Sequence, residues 1–281
     1  MPNDAFISGV QPPRFFYGTA WKQEQTAAFT LAALQAGFRA IDTANHRKHY
    51  HEAGAGAGVK AFLDTGTGMR EDLFLQTKFT FAHDQDHRLP YDNNAPLAEQ
   101  VAQSCASSLA HLQTSYIDSY ILHGTFTRHC IVEEDFATWQ AMEGLLDAGK
   151  VRYLGISNVS AVQLRDLCAS VRVKPHFVQN LPLRHAGWDE AVRGICLEEG
   201  MSYQGFGLLL AQHNGQPLRP MLEIAEKLQR TVPQVMCRFA QQLGMICLNG
   251  LQNDMHMQQD LAIDDFSLDE QDMLRIMQVS R

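Results

Sequence analysis

Three residues able to hold or move a proton stand at the ends of apolar runs. Asp42 follows Phe38-Arg-Ala-Ile, Lys78 follows Leu73-Phe-Leu-Gln-Thr, and His123 follows Tyr116-Ile-Asp-Ser-Tyr-Ile-Leu122. Two polar pairs, Ser157-Asn158 and Gln179-Asn180, close later runs in the same way. The chain has seven lysines (22, 48, 60, 78, 150, 174 and 227), and Lys78 alone ends a strongly apolar strand. An ammonium buried there needs a carboxylate partner or loses its charge. Asp42, on the preceding run, can supply it, and a purely structural ion pair is the alternative reading of the same two residues.

These residues share a site only if their strands are neighbours. An amphipathic stretch from Gln25 to Ala36 stops at Gly37, and β-type runs follow at Phe38–Asp42, Leu73–Lys78, Tyr116–Leu122, Val151–Ile156, His176–Gln179, Met201–Phe206 and Met245–Leu248. Helical windows lie between them at about 95–112, 133–148, 160–169, 187–199 and 220–243, with a last helix from Ser267 to Met277. Strand–helix alternation predicts a parallel sheet with helical crossovers. At roughly 30 to 40 residues a unit, seven or eight units fit the chain, which points to an α/β fold of the (β/α)8 TIM barrel type in a single domain, 1–281. The competing open sheet announces itself with GxGxxG after its first strand. Gly54-Ala-Gly-Ala-Gly58 follows Tyr50 inside a helical stretch and does not fit that pattern. In a barrel, strand C-terminal ends share one mouth, and the polar loops at about 79–94 and 124–134 become the substrate loops.

The composition narrows the partners. The chain has 281 residues, 45% of them hydrophobic and 19% charged, which suits a folded core. The net charge of −8 disfavours nucleic acid as the main partner. The apolar runs are too short to cross a membrane, and the N-terminus lacks the pattern of a secretory signal. Six cysteines without a CxxC pair suit a reduced, cytoplasmic protein.

The sequence resembles the aldo-keto reductases from Phe16-Tyr-Gly-Thr19 to Leu274. The motifs carrying the resemblance are Ala36-Gly-Phe-Arg-Ala-Ile-Asp-Thr-Ala44 with Tyr50-His-Glu52, Phe74-Leu-Gln-Thr-Lys78, Ile117-Asp-Ser-Tyr-Ile-Leu-His123, Gly149-Lys-Val-Arg-Tyr-Leu-Gly-Ile-Ser-Asn158, Val178-Gln-Asn180 and Tyr203-Gln-Gly-Phe206. The resemblance implies a catalytic tetrad of Asp42, Tyr50, Lys78 and His123, with Tyr50 matched across an insertion of two or three residues in Asn45–His49. It implies reduction of an aldehyde or ketone by a nicotinamide cofactor. Tyr50 would be the proton donor, its pKa lowered by Lys78, and His123 would orient the carbonyl. Ser157, Asn158 and Gln179 would hold the nicotinamide carboxamide, and Phe206 would stack on its ring.

The family's basic grip on the NADP 2′-phosphate is thin here. Gly250 falls where a lysine is common and His256 near the usual arginine, with Arg238 as a contact from elsewhere. NADP is favoured and NAD stays open. The short C-terminal tail implies an open cleft walled by the two loops, Trp188 and Phe126, and Trp188 also reads as core packing. Arg88 or Arg128 could meet a substrate carboxylate. Two rival readings remain. His46-x-x-His49-x-His51 invites a metal-dependent hydrolase barrel, although Arg47 and Lys48 disfavour a cation there. A non-catalytic barrel that binds a nicotinamide nucleotide keeps the fold and loses the chemistry. No metal is expected at the site.

Overall fold

The computed structural model describes residues 13–209 and 219–278. Eight parallel strands close in chain order. They are β1 Phe15–Gly18, β2 Ala40–Asp42, β3 Phe74–Phe79, β4 Ile117–Leu122, β5 Val151–Ser157, β6 Phe177–Asn180, β7 Ser202–Phe206 and β8 Met245–Asn249, with β8 pairing back onto β1. The helices are α1 Thr26–Ala36, α2 Glu52–Asp64, α3 Leu97–Leu112, α4 Glu133–Asp147, α5 Ala161–Ser170, α6 Glu190–Glu199, α7 Arg219–Leu228, α8 Val232–Gln242, α9 Asp254–Leu261 and α10 Glu270–Gln278. This is the expected (β/α)8 barrel. The strand that the β-type runs left out is the first, β1, of four residues. Among the described residues no helix is long and apolar enough to cross a membrane.

Local chemistry explains most boundaries. α1 ends at Gly37, whose φ of 119° is left-handed and whose N–H caps the carbonyls of Ala33 and Leu34. The single helical window at 220–243 is two helices. Thr231 caps α8 by accepting from the Gln234 N–H, while the Gln234 side chain accepts from the Thr231 N–H, so a Thr-x-x-Gln box breaks the apparent run. The window placed at 187–199 starts only at Glu190, because Trp188 and Asp189 both take a φ of 59°. Trp188 is fully buried with its ring 5.1 Å from that of Phe239, so it is core and no wall of the cleft. The glycines of α2 serve packing. A Cβ on Gly56 would meet the His111 carbonyl of α3 at 1.9 Å, and one on Gly58 would meet the Ala27 carbonyl of α1 at 2.6 Å.

A large core fills the space between sheet and helices, and a smaller one fills the barrel itself. Alternation along each strand sets the interior in layers. Phe16, Phe74, Phe177 and the half-buried Tyr153 and Ile246 pack the lower part. Two residues further along the same strands come Gln76, Gln179 and Leu248, and the next step on β3 is Lys78. The register pairs Asp42 with Gln76 and Gln179 with Gln204. The barrel is therefore apolar below, amide-rich in the middle and ionic at its mouth.

Candidate active site

Lys78 is wholly buried, and Asp42 is 2% exposed. The Lys78 ammonium donates to both Asp42 carboxylate oxygens, at 2.6 Å and 2.7 Å, and to the Thr43 carbonyl at 2.8 Å. Burial pulls its pKa below the usual lysine range, while Asp42 opposes that shift, followed by Glu52. Glu52, itself buried, takes a hydrogen bond from the Thr77 hydroxyl and pairs with His111 Nδ1 at 2.7 Å.

Asp42 has further donors that the sequence did not disclose. Gln76 Nε2 donates to its Oδ1 at 2.7 Å and Gln179 Nε2 at 3.1 Å. Gln76 and Gln204 exchange reciprocal amide bonds of 2.9 Å and 3.0 Å, and Gln179 Nε2 also donates to Gln204 Oε1 at 3.0 Å. A polar residue at every second position of Gln76–Lys78 was the available signal. It marked a face, and the neighbours on that face come only from the register.

Tyr50 lies just before α2, half-buried, with its ring centre 5.2 Å from the Lys78 ammonium and 5.9 Å from the His123 ring. The structure thus brings Asp42, Tyr50, Lys78 and His123 together. Burial first, then the charge of Asp42, raises the Tyr50 pKa above the usual phenol value, outweighing the lowering expected from Lys78. His123 shares a 2.7 Å hydrogen bond between Nδ1 and the Thr80 hydroxyl. Burial, followed by the Lys78 charge, keeps its pKa well below the usual value and its ring neutral.

The insertion between Asp42 and Tyr50 is a compact turn. The Tyr50 and His49 N–H groups both donate to the His46 carbonyl, and the Trp21 N–H donates to the His49 carbonyl at 2.7 Å. Loop 79–94 braces it from the other side through Gln85 Nε2 on the Asn45 carbonyl and Arg88 on the Arg47 carbonyl. His46 is buried against His123, with ring centres 5.5 Å apart. Burial, with His49 beside it, pulls its pKa to about 4. His46 and His49 face each other, whereas His51 turns to the Gln23 carbonyl. No group of three or more metal-ligating side chains is gathered among the described residues.

The two rim loops meet where the Phe126 ring touches those of Phe81 and His83, at 5.1 Å and 5.0 Å. Phe126 is thereby placed at the rim. Arg88 is bound to Asp86, while Arg128 is exposed.

The groups expected to hold a nicotinamide line the far side of the mouth. Ser157 Oγ donates to the Gln179 carbonyl at 2.7 Å, and Asn158 Nδ2 to the His123 carbonyl at 2.7 Å. Asn158 takes a left-handed φ of 55°, an uncommon conformation for a residue with a side chain. The amide nitrogens of Asn158 and Gln179 are thus engaged within the protein, and their Oδ1 and Oε1 meet no donor among the described residues. Two oriented acceptors beside a half-buried Phe206 fit a carboxamide on a flat ring. Gly250 and His256 are both exposed, and Arg238 is turned away to Asp264 at 3.3 Å. Gly250 lies against a residue absent from the sequence expectations, Lys22, whose ammonium donates to its carbonyl at 3.0 Å.

Residues 15–211 match the profile of the Aldo/keto reductase family. The chain is 28% identical over 274 residues to the glyoxal reductase of Bacillus subtilis, covering 96% of this chain and 89% of that protein. It is 26% identical over 301 residues to the NAD(P)H-dependent D-xylose reductase of Pachysolen tannophilus, covering 93% and 88%. A solved aldo/keto reductase of Brucella melitensis superposes with a TM-score of 0.81 at 25% identity, over 96% of both chains. An aldo-keto reductase of Bombyx mori solved in complex with NADP shares the fold, with a TM-score of 0.80 at 22% identity over 96% of this chain and 90% of that one. This chain belongs to the aldo/keto reductase family and is an NAD(P)H-dependent carbonyl-reducing enzyme.

Proposed function

We propose that the barrel mouth reduces a small aldehyde or ketone to its alcohol, with Tyr50 as the proton donor and NADP(H) as the preferred cofactor. The observation that carries this reading is the convergence of Tyr50, His123 and the buried Lys78–Asp42 pair at the ends of neighbouring strands. A bound nicotinamide supplies hydride to the carbonyl carbon, which leaves negative charge on the oxygen. Tyr50, held neutral, gives that oxygen a proton. Lys78 stabilises the phenolate that remains, and Asp42 with its amide donors fixes where Lys78 stands. His123, neutral and tied to Thr80, donates from its free nitrogen to orient the carbonyl. Asn158 and Gln179 present acceptors to the carboxamide, and Ser157 and Asn158 hold each other in place. The relatives named as a glyoxal reductase and a D-xylose reductase support a carbonyl substrate.

The test is a panel of carbonyl compounds scored by loss of reduced-cofactor absorbance with NADPH and NADH in parallel, on wild type and Tyr50→Phe. Wild type turns over at least one aldehyde, and Tyr50→Phe loses about 100-fold or more in kcat while binding cofactor normally. A phenylalanine variant within a few-fold of wild type removes Tyr50 from the chemistry. A wild type that binds cofactor and reduces nothing makes the barrel a binding protein.

A further inference from the structure

The turn between β2 and Tyr50 carries a polar side chain that the chemistry above does not use. His46 is 5% exposed. Its backbone is pinned, because its carbonyl accepts from the His49 N–H at 3.1 Å and from the Tyr50 N–H at 3.0 Å. The ring therefore stands where the turn puts it. Among the described residues neither of its nitrogens has a hydrogen-bond partner. The Asp84 backbone on loop 79–94 approaches the ring and favours its charged form without completing such a bond. A buried polar atom left unpartnered carries its full desolvation cost, which is why folded proteins hold few of them.

The neighbours of the ring say where a partner belongs. Its centre is 5.5 Å from that of His123, edge-on at 82°, and 6.4 Å from that of Tyr50. His123 spends Nδ1 on the Thr80 hydroxyl, which leaves Nε2 for the reacting carbonyl. His46 thus borders the same small space as the two groups that meet that carbonyl. Burial first, with His49 and Lys48 beside it, outweighs the pull of Asp84 and keeps the ring neutral near pH 7. A neutral imidazole offers one N–H and one lone pair. That suits a hydroxyl or a second carbonyl and gives a carboxylate no counter-charge.

We infer that His46 is a specificity-determining residue, one of whose ring nitrogens hydrogen-bonds a second, uncharged oxygen of the substrate on the carbon next to the carbonyl being reduced. The inference rests on the reading of the mouth given above and names its substrate class, α-hydroxy aldehydes and α-dicarbonyls. Two rings in edge contact serve oxygens on adjacent carbons, and an oxygen further along a chain is carried away from both. The chemical step is unchanged. Hydride goes to the carbonyl carbon, the Tyr50 proton goes to its oxygen, and the neighbouring oxygen keeps its own bonds throughout.

The experiment measures kcat/KM at saturating NADPH for 2-hydroxypropanal and 2-methylpropanal, an isosteric pair that exchanges a hydroxyl for a methyl. The proteins are wild type, His46→Phe and His46→Gln. The readout is the ratio of the two substrates within each protein, so hydration of an aldehyde or a displaced Tyr50 cancels between proteins. His46→Phe should lower the ratio of hydroxyaldehyde to methyl analogue by about ten- to a hundredfold, the scale of one hydrogen bond lost from a buried polar group. His46→Gln, which keeps a donor and an acceptor, should fall between. A second measurement needs no variant to fold. In wild type saturated with NADPH, with which an alcohol does not react, the 15N signals of the His46 ring should move with propane-1,2-diol and not with 2-methylpropan-1-ol. A ratio that is the same in wild type and His46→Phe, both aldehydes slowing alike, would overturn the inference, as would His46 signals that ignore the diol. A wild type that reduces neither aldehyde would instead overturn the reading of the mouth as a site for small aldehydes.

Discussion

The Lys78–Asp42 pair can be dissected by stability alone, without reference to turnover. At 2.6–2.7 Å and an effective dielectric near 20, two unit charges attract by about 6 kcal/mol, most of it spent on desolvating both groups. Removing one partner forfeits the attraction and leaves the other charge buried, an effect of roughly 3–5 kcal/mol. The two single variants should differ. In Lys78→Met the Asp42 carboxylate still accepts from Gln76 and Gln179, so the loss should fall near the low end, about 3 kcal/mol. In Asp42→Asn the Lys78 ammonium keeps only the Thr43 carbonyl and one neutral amide oxygen, which places the loss near about 5 kcal/mol. The double variant, with neither charge, should return to within about 2 kcal/mol of wild type, so the cycle reports a coupling of several kcal/mol. Urea unfolding followed by circular dichroism measures all four proteins on one scale. Single losses below about 1 kcal/mol, or additive ones, would show that water reaches the pair and that its burial is not an energetic fact.

Lys22 should show the opposite behaviour. Burial pulls its pKa from 10.5 to about 8, so the folded state is penalised fully below about pH 8 and relieved as pH rises towards 10.5. Without ligand, Lys22→Met should exceed wild type in stability at pH 7 by about 1–3 kcal/mol, with the gap closing near pH 10; a gap that stays constant with pH refutes the burial argument. Gly250→Ala should lose about 1–3 kcal/mol, because its Cβ meets the Gly18 backbone as well as Lys22. For the same reason Gly250→Lys should fail to strengthen NADPH binding, and a tighter titration curve would show that Lys22 is free to move aside.

Elements with a strong period were legible from the residues. The β-type runs before Asp42, Lys78 and His123, the Gly37 stop and the pairing of Lys78 with Asp42 all follow from local pattern and the cost of a bare buried charge. What stayed hidden depends on register or on irregular chain. Gln76 and Gln204 lie 128 residues apart and meet only across the closed barrel. Lys22 sits in a loop without periodicity, and nothing in its neighbours marks it as buried. The split at Thr231 carried a readable signal, the Thr-x-x-Gln box, masked by apolar spacing continuing on both sides. Tyr50 was placed through Glu52 despite the insertion, and its raised pKa emerged only once the depth of its surroundings was known.

The short turn from Asn45 to His49 is clamped by the chain after β1 on one side and by loop 79–94 on the other, with Tyr50 directly behind it. On the proposed reading, with Tyr50 as the proton donor and loop 79–94 at the substrate rim, selectivity and proton delivery share hardware. Lengthening or recharging loop 79–94 to admit a bulkier carbonyl would loosen Gln85 and Arg88 from the turn and let the phenol drift, at a point where ångström-scale misplacement already slows a reaction a hundredfold. Attempts to redirect this enzyme should keep those two contacts fixed and vary Phe126, which meets loop 79–94 at Phe81 and His83 and not at Gln85 or Arg88.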